Sequence, residues 1–190
     1  MKELIIDTAT NLLYVGLIND GKHDYITRKG HNDNAAFIVN YVDQILKRNN
    51  LTLTDINNII VGIGPGSYTG LRASLAVAKM FAYTKAIPLK TISSLLLLSS
   101  GYKNEVTVAI DARRKHYFAA TYNNGLTVNT DAYVKGDNLG EFLLLNDETI
   151  NVDLNIVSTK ARVETDIFNL VPNYLRITEA ERNNDQKSNN

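Results

Sequence analysis

Leu4 to Gly21 reads "LIIDTATNLLYVGLINDG", and Val108 to Gly125 reads "VAIDARRKHYFAATYNNG". Laid together without a gap, they match Ile6 with Ile110, Asp7 with Asp111, Asn19 with Asn123 and Gly21 with Gly125. Identities this sparse arise between any two β-hairpins, so the order of features carries the comparison. Each stretch is an apolar strand, an aspartate at its end, a polar turn, a second strand and a glycine turn. A third strand follows in each, ending in "TRKG" (27–30) or "YVKG" (133–136). Because the similarity opens each half, a duplicated α/β chain is favoured.

The segments between the copies extend this pattern. "KELIID", "LLYVGLIND" and "GKHDYITRKG" form an antiparallel meander. "AAFIVNYVDQIL" (35–46) then changes period: Phe37, Tyr41 and Ile45 form one helical line, and Ile38, Val42 and Leu46 the next. "DINNIIVGI" returns to strand, a glycine-rich loop leads to a second helix from about Leu71 to Thr84, and "AIPLKTI" is a short strand. The first half is therefore βββαβα, and the second is a reduced version of it. Residues 1–100 are expected to form the first lobe, 101–180 the second, and 181–190 a disordered tail. "RITEAERNNDQKSNN" (176–190) is expected to begin as helix and fade as its apolar content is lost.

At 190 residues there is chain enough for one ordinary domain or two small ones. Twenty basic and twenty acidic side chains cancel, so net charge predicts no strong attraction to a phosphate backbone, and RNA would be met indirectly or through a complex. The absence of cysteine excludes disulfides, thiolate metal sites and cysteine nucleophiles, and fits a reducing cytoplasm. No apolar run is long enough to span a bilayer, and "MKELIIDTATNLLYVGL" carries acids where a secretory signal would be unbroken. A soluble, cytoplasmic protein is expected.

Asp7 and Asp111 are the first candidates for chemistry. Facing each other across a cleft, two carboxylates could hold a hydrated magnesium against nucleotide phosphates; an aspartate after a strand also commonly caps a turn. The turns that follow, "DTATNLL" and "DARRKHY", contain no glycine to let phosphates reach backbone amides. A productive triphosphate site is therefore not expected, which leaves Arg113 and Arg114 as candidates for pairing with an anion in a vestigial cleft. "GPGSYTGLR" (64–72) lacks the lysine of a Walker loop, having Leu71 and Arg72 there, and its Gly64, Gly66 and Gly70 are misspaced for a dinucleotide fingerprint. It still joins a strand to a helix N-terminus that Thr69 could cap, which attracts anions. A tight structural turn explains its glycines and Pro65 but not its exposed Ser67, Tyr68 and Thr69. His23, His31 and His116 are scattered, Ser67 has no histidine near it in sequence, and no catalytic or metal-binding constellation is legible. The helices carry more apolar surface than one stripe needs, so each either serves only its own sheet or keeps a face for a partner.

The loop "GPGSYTGLR", the opening "LIIDTAT", the mid-chain "VAIDARRKHYFAATY" and the late "PNYLR" together resemble the TsaB family, also called YeaZ, from Leu4 to about Arg176. The resemblance implies a duplicated actin/Hsp70-like ATPase fold of the ribonuclease H-like type. It also implies a non-catalytic partner of TsaD, which transfers threonylcarbamoyl to adenosine 37 of tRNA, with TsaE completing the bacterial complex. TsaD's pair of metal-binding histidines has no match here. On this basis no cofactor is expected on the chain alone, with ATP or ADP and magnesium belonging to the complex. Pairing with TsaD, or with a second copy, is expected through the first-lobe helices at Phe37, Tyr41, Ile45, Leu75 and Met80. The alternative is an ATP-using enzyme of the same fold or a glycoprotease-like peptidase. Two stretches depart from the family: "GHNDNAA" (30–36), which should alter the approach to the first helix, and "GDNLGEFLLLNDETINVDLN" (136–155).

Overall fold

The computed structural model describes residues 1–31 and 33–175; the readings placed on 176–190, a helical start and a tail, lie outside the described residues. Strands β1 (Lys2–Asp7), β2 (Leu12–Asn19) and β3 (Lys22–Lys29) form the antiparallel meander. Helix α1 (Ile38–Arg48), β4 (Asn58–Gly62), α2 (Tyr68–Lys85), β5 (Leu89–Ile92) and the short α3 (Ser94–Ser99) complete the first half. The second half holds β6 (Glu105–Asp111), β7 (His116–Asn123), β8 (Leu126–Lys135), β9 (Leu143–Leu144), α4 (Leu154–Lys160) and β10 (Arg162–Val163).

The sheets run β10-β5-β4-β1-β2-β3 and β8-β7-β6-β9. In both, a meander is extended by a strand parallel to its first member, β4 beside β1 and β9 beside β6. This is the duplicated ribonuclease H-like arrangement. The same device closes both β2–β3 and β7–β8: two residues at positive φ, Asp20 with Gly21 and Asn124 with Gly125. Such a pair sets the twist a two-residue hairpin needs. The second lobe is reduced because only a short 3-10 turn at Gly136–Asn138 stands between β8 and β9, where the first lobe has α1.

Alternation along the strands divides the interior in two. Leu4, Ile6, Val15, Ile59 and Val61 pack under α1 and α2. Ile5, Tyr14 and Ile60 face the other way, against α3 and the second sheet's Val108, Ile110, Phe118 and Tyr122. The gapless alignment fails at this point. It equates Ile6 with Ile110, yet Ile6 lies on the helix side of its sheet and Ile110 on the side between the lobes. Asp7 pairs with Tyr14 but Asp111 with Tyr117, so the second turn closes one residue sooner. A one-residue shift exchanges the faces of a strand. Asp7 shares the face of Ile5, whereas Asp111 shares that of Ala109, opposite Val108 and Ile110, and the expected confrontation of two carboxylates across a cleft is corrected.

Three further expectations are corrected. Helix α1 begins at Ile38, after a 3-10 turn at Asn34–Ala36, because the buried Asn34 is tied to the β1–β2 turn through its donation to the Asn11 carbonyl, 2.9 Å. Helix α2 is capped by Ser67, whose Oγ accepts the Gly70 N–H at 3.3 Å, and Thr69 lies in its first turn. The chain also does not stay in the second lobe to residue 180: Arg162 and Val163 pair with Thr91 and Lys90 at the edge of the first sheet. Among the described residues, no helix is long and apolar enough to cross a membrane.

Candidate functional site

The loop at 64–72 is held by the β1–β2 turn. The Asp7 carboxylate is buried, accepting the Ala9 N–H at 2.8 Å and the Ser94 hydroxyl, while Ser94 Oγ accepts the Gly64 N–H at 3.0 Å. Ser67 N–H donates to the Ala9 carbonyl at 2.7 Å, and Leu71 N–H to the Ser67 carbonyl at 2.9 Å. The glycines follow from this closeness. A Cβ on Gly62 would sit 1.8 Å from an Asp7 oxygen, one on Gly66 2.3 Å from the Ala9 carbonyl, and one on Gly70 2.2 Å from the Thr8 carbonyl. Gly64 precedes a cis peptide to Pro65 and has a φ of +97°. The amides of Gly64, Ser67, Gly70 and Leu71 are therefore spent inside the lobe. Burial pushes the Asp7 carboxyl up to about 6, against the lowering effect of its two donors. A carboxylate enclosed in this way does not fit a magnesium–triphosphate group.

The exposed end of the loop meets the late "PNYLR" motif. Tyr68 stacks on Tyr174 with ring centroids 5.1 Å apart, Arg72 Nη1 donates to the Tyr68 hydroxyl at 2.6 Å, and Asn173 N–H donates to the Ile63 carbonyl at 2.7 Å. Two motifs a hundred residues apart in sequence are thus one structural feature, and a shallow cavity of about 400 Å3 lies beside it, between α2 and residues 170–174.

The helix residues separate into core and surface. Ile45 is fully buried and Leu75 is 4% exposed, both packed in the first-lobe core, which corrects their assignment to a partner interface. Phe37 and Tyr41 are half-buried, with the Arg28 guanidinium 3.8 Å over the Phe37 ring. The outward side of α1 is polar at Asn40, Asp43, Gln44 and Lys47, apart from Val39. The outward side of α2 is different. Arg72, Ala76, Met80 and Tyr83 follow one another at helical spacing, and Tyr83 is 88% exposed. Sequence reasoning missed Tyr83; a tyrosine on the far side of a helix already rich in apolar residues was the available signal.

Asp111 is exposed and accepts the Arg113 N–H at 2.8 Å, the turn-capping role. Arg113 and Arg114 are exposed beside it. The cavity between the lobes, about 580 Å3, is lined instead by Ser93, Tyr122, Asp131, Lys160 and Arg162 among others, and by none of Asp7, Asp111, Arg113 and Arg114. Tyr122 donates to Asp131 at 2.8 Å and lies 3.3 Å from the Ser93 hydroxyl. Burial raises the Asp131 carboxyl, with the hydrogen bonds of Ser93 and Tyr122 opposing.

The family model described as TsaD, tRNA N6-adenosine threonylcarbamoyltransferase, matches residues 25–168. The chain belongs to this family, in its TsaB (YeaZ) group. It is 35% identical to the tRNA threonylcarbamoyladenosine biosynthesis protein TsaB of Escherichia coli K12, over 64% of this chain and 55% of that one. An uncharacterized Mycobacterium bovis protein is 30% identical, with 60% of its length covered. The matches thus span little more than half of these two relatives. The TsaB protein of Bacillus subtilis is 28% identical over 95% of this chain and 96% of its own. Two solved structures share the fold. An uncharacterized protein with similarity to peptidase YEAZ, from Pseudomonas aeruginosa, superposes with a TM-score of 0.79 at 19% identity, over 92% of this chain and 99% of its own. YeaZ from the same organism gives 0.68 at 23%, over 74% and 69%.

Proposed function

We propose that this TsaB-group protein is a non-catalytic accessory subunit. It binds a TsaD-type partner and supports N6-threonylcarbamoylation of adenosine 37 in tRNA, with TsaE joining through that complex. The observation that carries this reading is the outward side of α2, where Ala76, Met80 and Tyr83 give a water-exposed apolar stripe on a helix already anchored in its own core. Exposed apolar surface of this kind favours a protein partner. The loop supports the reading by fixing the start of α2 to the sheet through Ser67 and Ala9. Ser67 serves as a helix cap, and among the described residues no cluster of three or more His, Asp or Glu could hold a metal. Any ATP or ADP and magnesium belong, in this reading, to the complex. The experiment is reconstitution with a TsaD-type transferase, TsaE, threonylcarbamoyl-adenylate and unmodified tRNA. Modification should need both this chain and the transferase, and this chain alone should turn over neither ATP nor peptide. Modification that proceeds equally well without it would overturn the accessory role.

A further inference from the structure

The cavity between the lobes, about 580 Å3, falls within the range of small-molecule sites, roughly 300–1,000 Å3. Its lining is divided by chemistry. Ile63, Ile92 and Leu96 supply an apolar part from the first lobe, Asp131 stands half-buried on β8, and the cations Lys160 and Arg162 come from the end of α4 and from β10. Opposite charges thus line one space without pairing. Among the described residues no ion pair joins Asp131 to Lys160 or Arg162, and neither cation takes part in any other ion pair or side-chain hydrogen bond. Glu164, close to Arg162 in sequence, accepts the Asp166 N–H at 2.9 Å. Asp131 itself is held in place: the Tyr122 hydroxyl donates to its Oδ1 at 2.8 Å and lies 3.3 Å from Ser93 Oγ. A carboxylate offers about four acceptor positions, so it keeps capacity for a further donor.

We propose that this cavity binds a small zwitterion of the amino-acid or short-peptide class, its ammonium on Asp131, its carboxylate on Lys160 and Arg162, and its apolar body against Ile63, Ile92 and Leu96. A simple anion would be drawn to the two cations but repelled by Asp131, and a simple cation would meet the reverse. A ligand carrying both charges satisfies each side. The guanidinium of Arg162 presents a planar fork that matches a carboxylate, and the Lys160 ammonium adds a second charge-assisted donor. Burial raises the Asp131 carboxyl because its charge has lost water, and an incoming ammonium supplies the stabilisation that water no longer gives. The apolar part favours a ligand with a hydrophobic side chain over a bare polar one. The inference rests on the cavity and not on the accessory role proposed above.

The test is calorimetric titration of the full chain with leucine and with leucyl-leucine, at least one of which should bind with a Kd of about 1 mM or tighter. Capping either charge of the ligand that binds, by N-acetylation or by C-terminal amidation, should weaken it about tenfold, as loss of a charge-assisted hydrogen bond does. Asp131→Asn should weaken the free ligand by a similar factor and leave the N-acetylated form unchanged, because the group it met is already gone. Arg162→Gln alters an exposed side chain and keeps the fold, and it should weaken the free ligand while leaving the amidated form unchanged. No binding of either zwitterion at about 10 mM, equal binding of the capped and free forms, wild-type affinity in both variants, or tighter binding of ADP than of either zwitterion would each overturn the site. Because the readout needs no transferase and no tRNA, failure of the accessory reading and failure of this site are seen separately.

Discussion

The Asp7 carboxyl is buried beneath a turn it organises, and its ionisation opposes folding. Its folded value of about 6 lies above the ordinary 3.8, so the folded state holds the proton more tightly and Asp7 contributes stability below the lower value. That contribution is lost as pH rises through the upper one, by on the order of 3 kcal/mol at neutrality. Asp7→Asn keeps an acceptor for the Ala9 N–H without a titrating proton. Urea denaturation from about pH 4 to 7 should show wild-type stability falling relative to that of the Asn variant; parallel curves would show that Asp7 titrates alike in both states. The exposed Asp33, held low chiefly by its hydrogen bond from Arg28, titrates below this window. Glycines give a second residue-scale prediction. Gly70→Ala forces a Cβ to 2.2 Å from the Thr8 carbonyl and should cost about 1–3 kcal/mol, whereas Gly140→Ala, with nothing within 4 Å, should stay within about 0.5 kcal/mol in the same assay.

Periodicity located both helices but did not orient them. On α1, Phe37, Tyr41 and Ile45 read as a line available to a partner, yet Ile38, Val42, Ile45 and Leu46 took the sheet side. Two adjacent apolar lines leave their common rotation undetermined until the sheet selects one. The change of hydrophobic period carried the helix back to Ala35, while Asn34, tied to the β1–β2 turn, decided otherwise. The exposed apolar stripe therefore lies on α2, the face on which the proposed partner would dock. Met80→Glu and Tyr83→Glu place a charge on an exposed surface and should leave thermal stability within about 0.5 kcal/mol of wild type. In size-exclusion chromatography with a TsaD-type protein, each should weaken association, because the interface would bury an unpaired charge. Ile45→Glu buries its charge in the monomer core and should fail to fold. Full-strength association of the folded Met80 and Tyr83 variants would remove α2 from the interface.

Across the whole molecule, the repeat and its glycine turns made the duplication legible, because Asp20–Gly21 and Asn124–Gly125 are local signals for a hairpin. Strand facing was not legible, since one residue fewer in the second turn leaves the identities aligned while exchanging the faces. The cleft was not legible either: Ser93, Tyr122, Asp131 and Lys160 come from separate elements and meet only through the packing of two sheets. The same holds for the final segment, which sequence assigned to the second lobe and which returns to the first. Along this return, Val163 pairs with Lys90, Lys79 Nζ donates to the Phe168 carbonyl at 3.0 Å, Asn173 N–H donates to the Ile63 carbonyl, and Tyr174 stacks on Tyr68. It therefore straps the loop and α2 to the edge of the first sheet. Tyr174→Ala removes the stack, worth about 0.5–1.5 kcal/mol beyond the buried area. Amide exchange should quicken at Asn173 and at Gly64 to Leu71, while β6, β7 and β8 keep wild-type protection, because local opening follows the contacts that are lost. Faster exchange spread equally over both sheets would mean that the strap holds the lobes together. Unchanged exchange at Asn173 would mean that it follows the loop without supporting it.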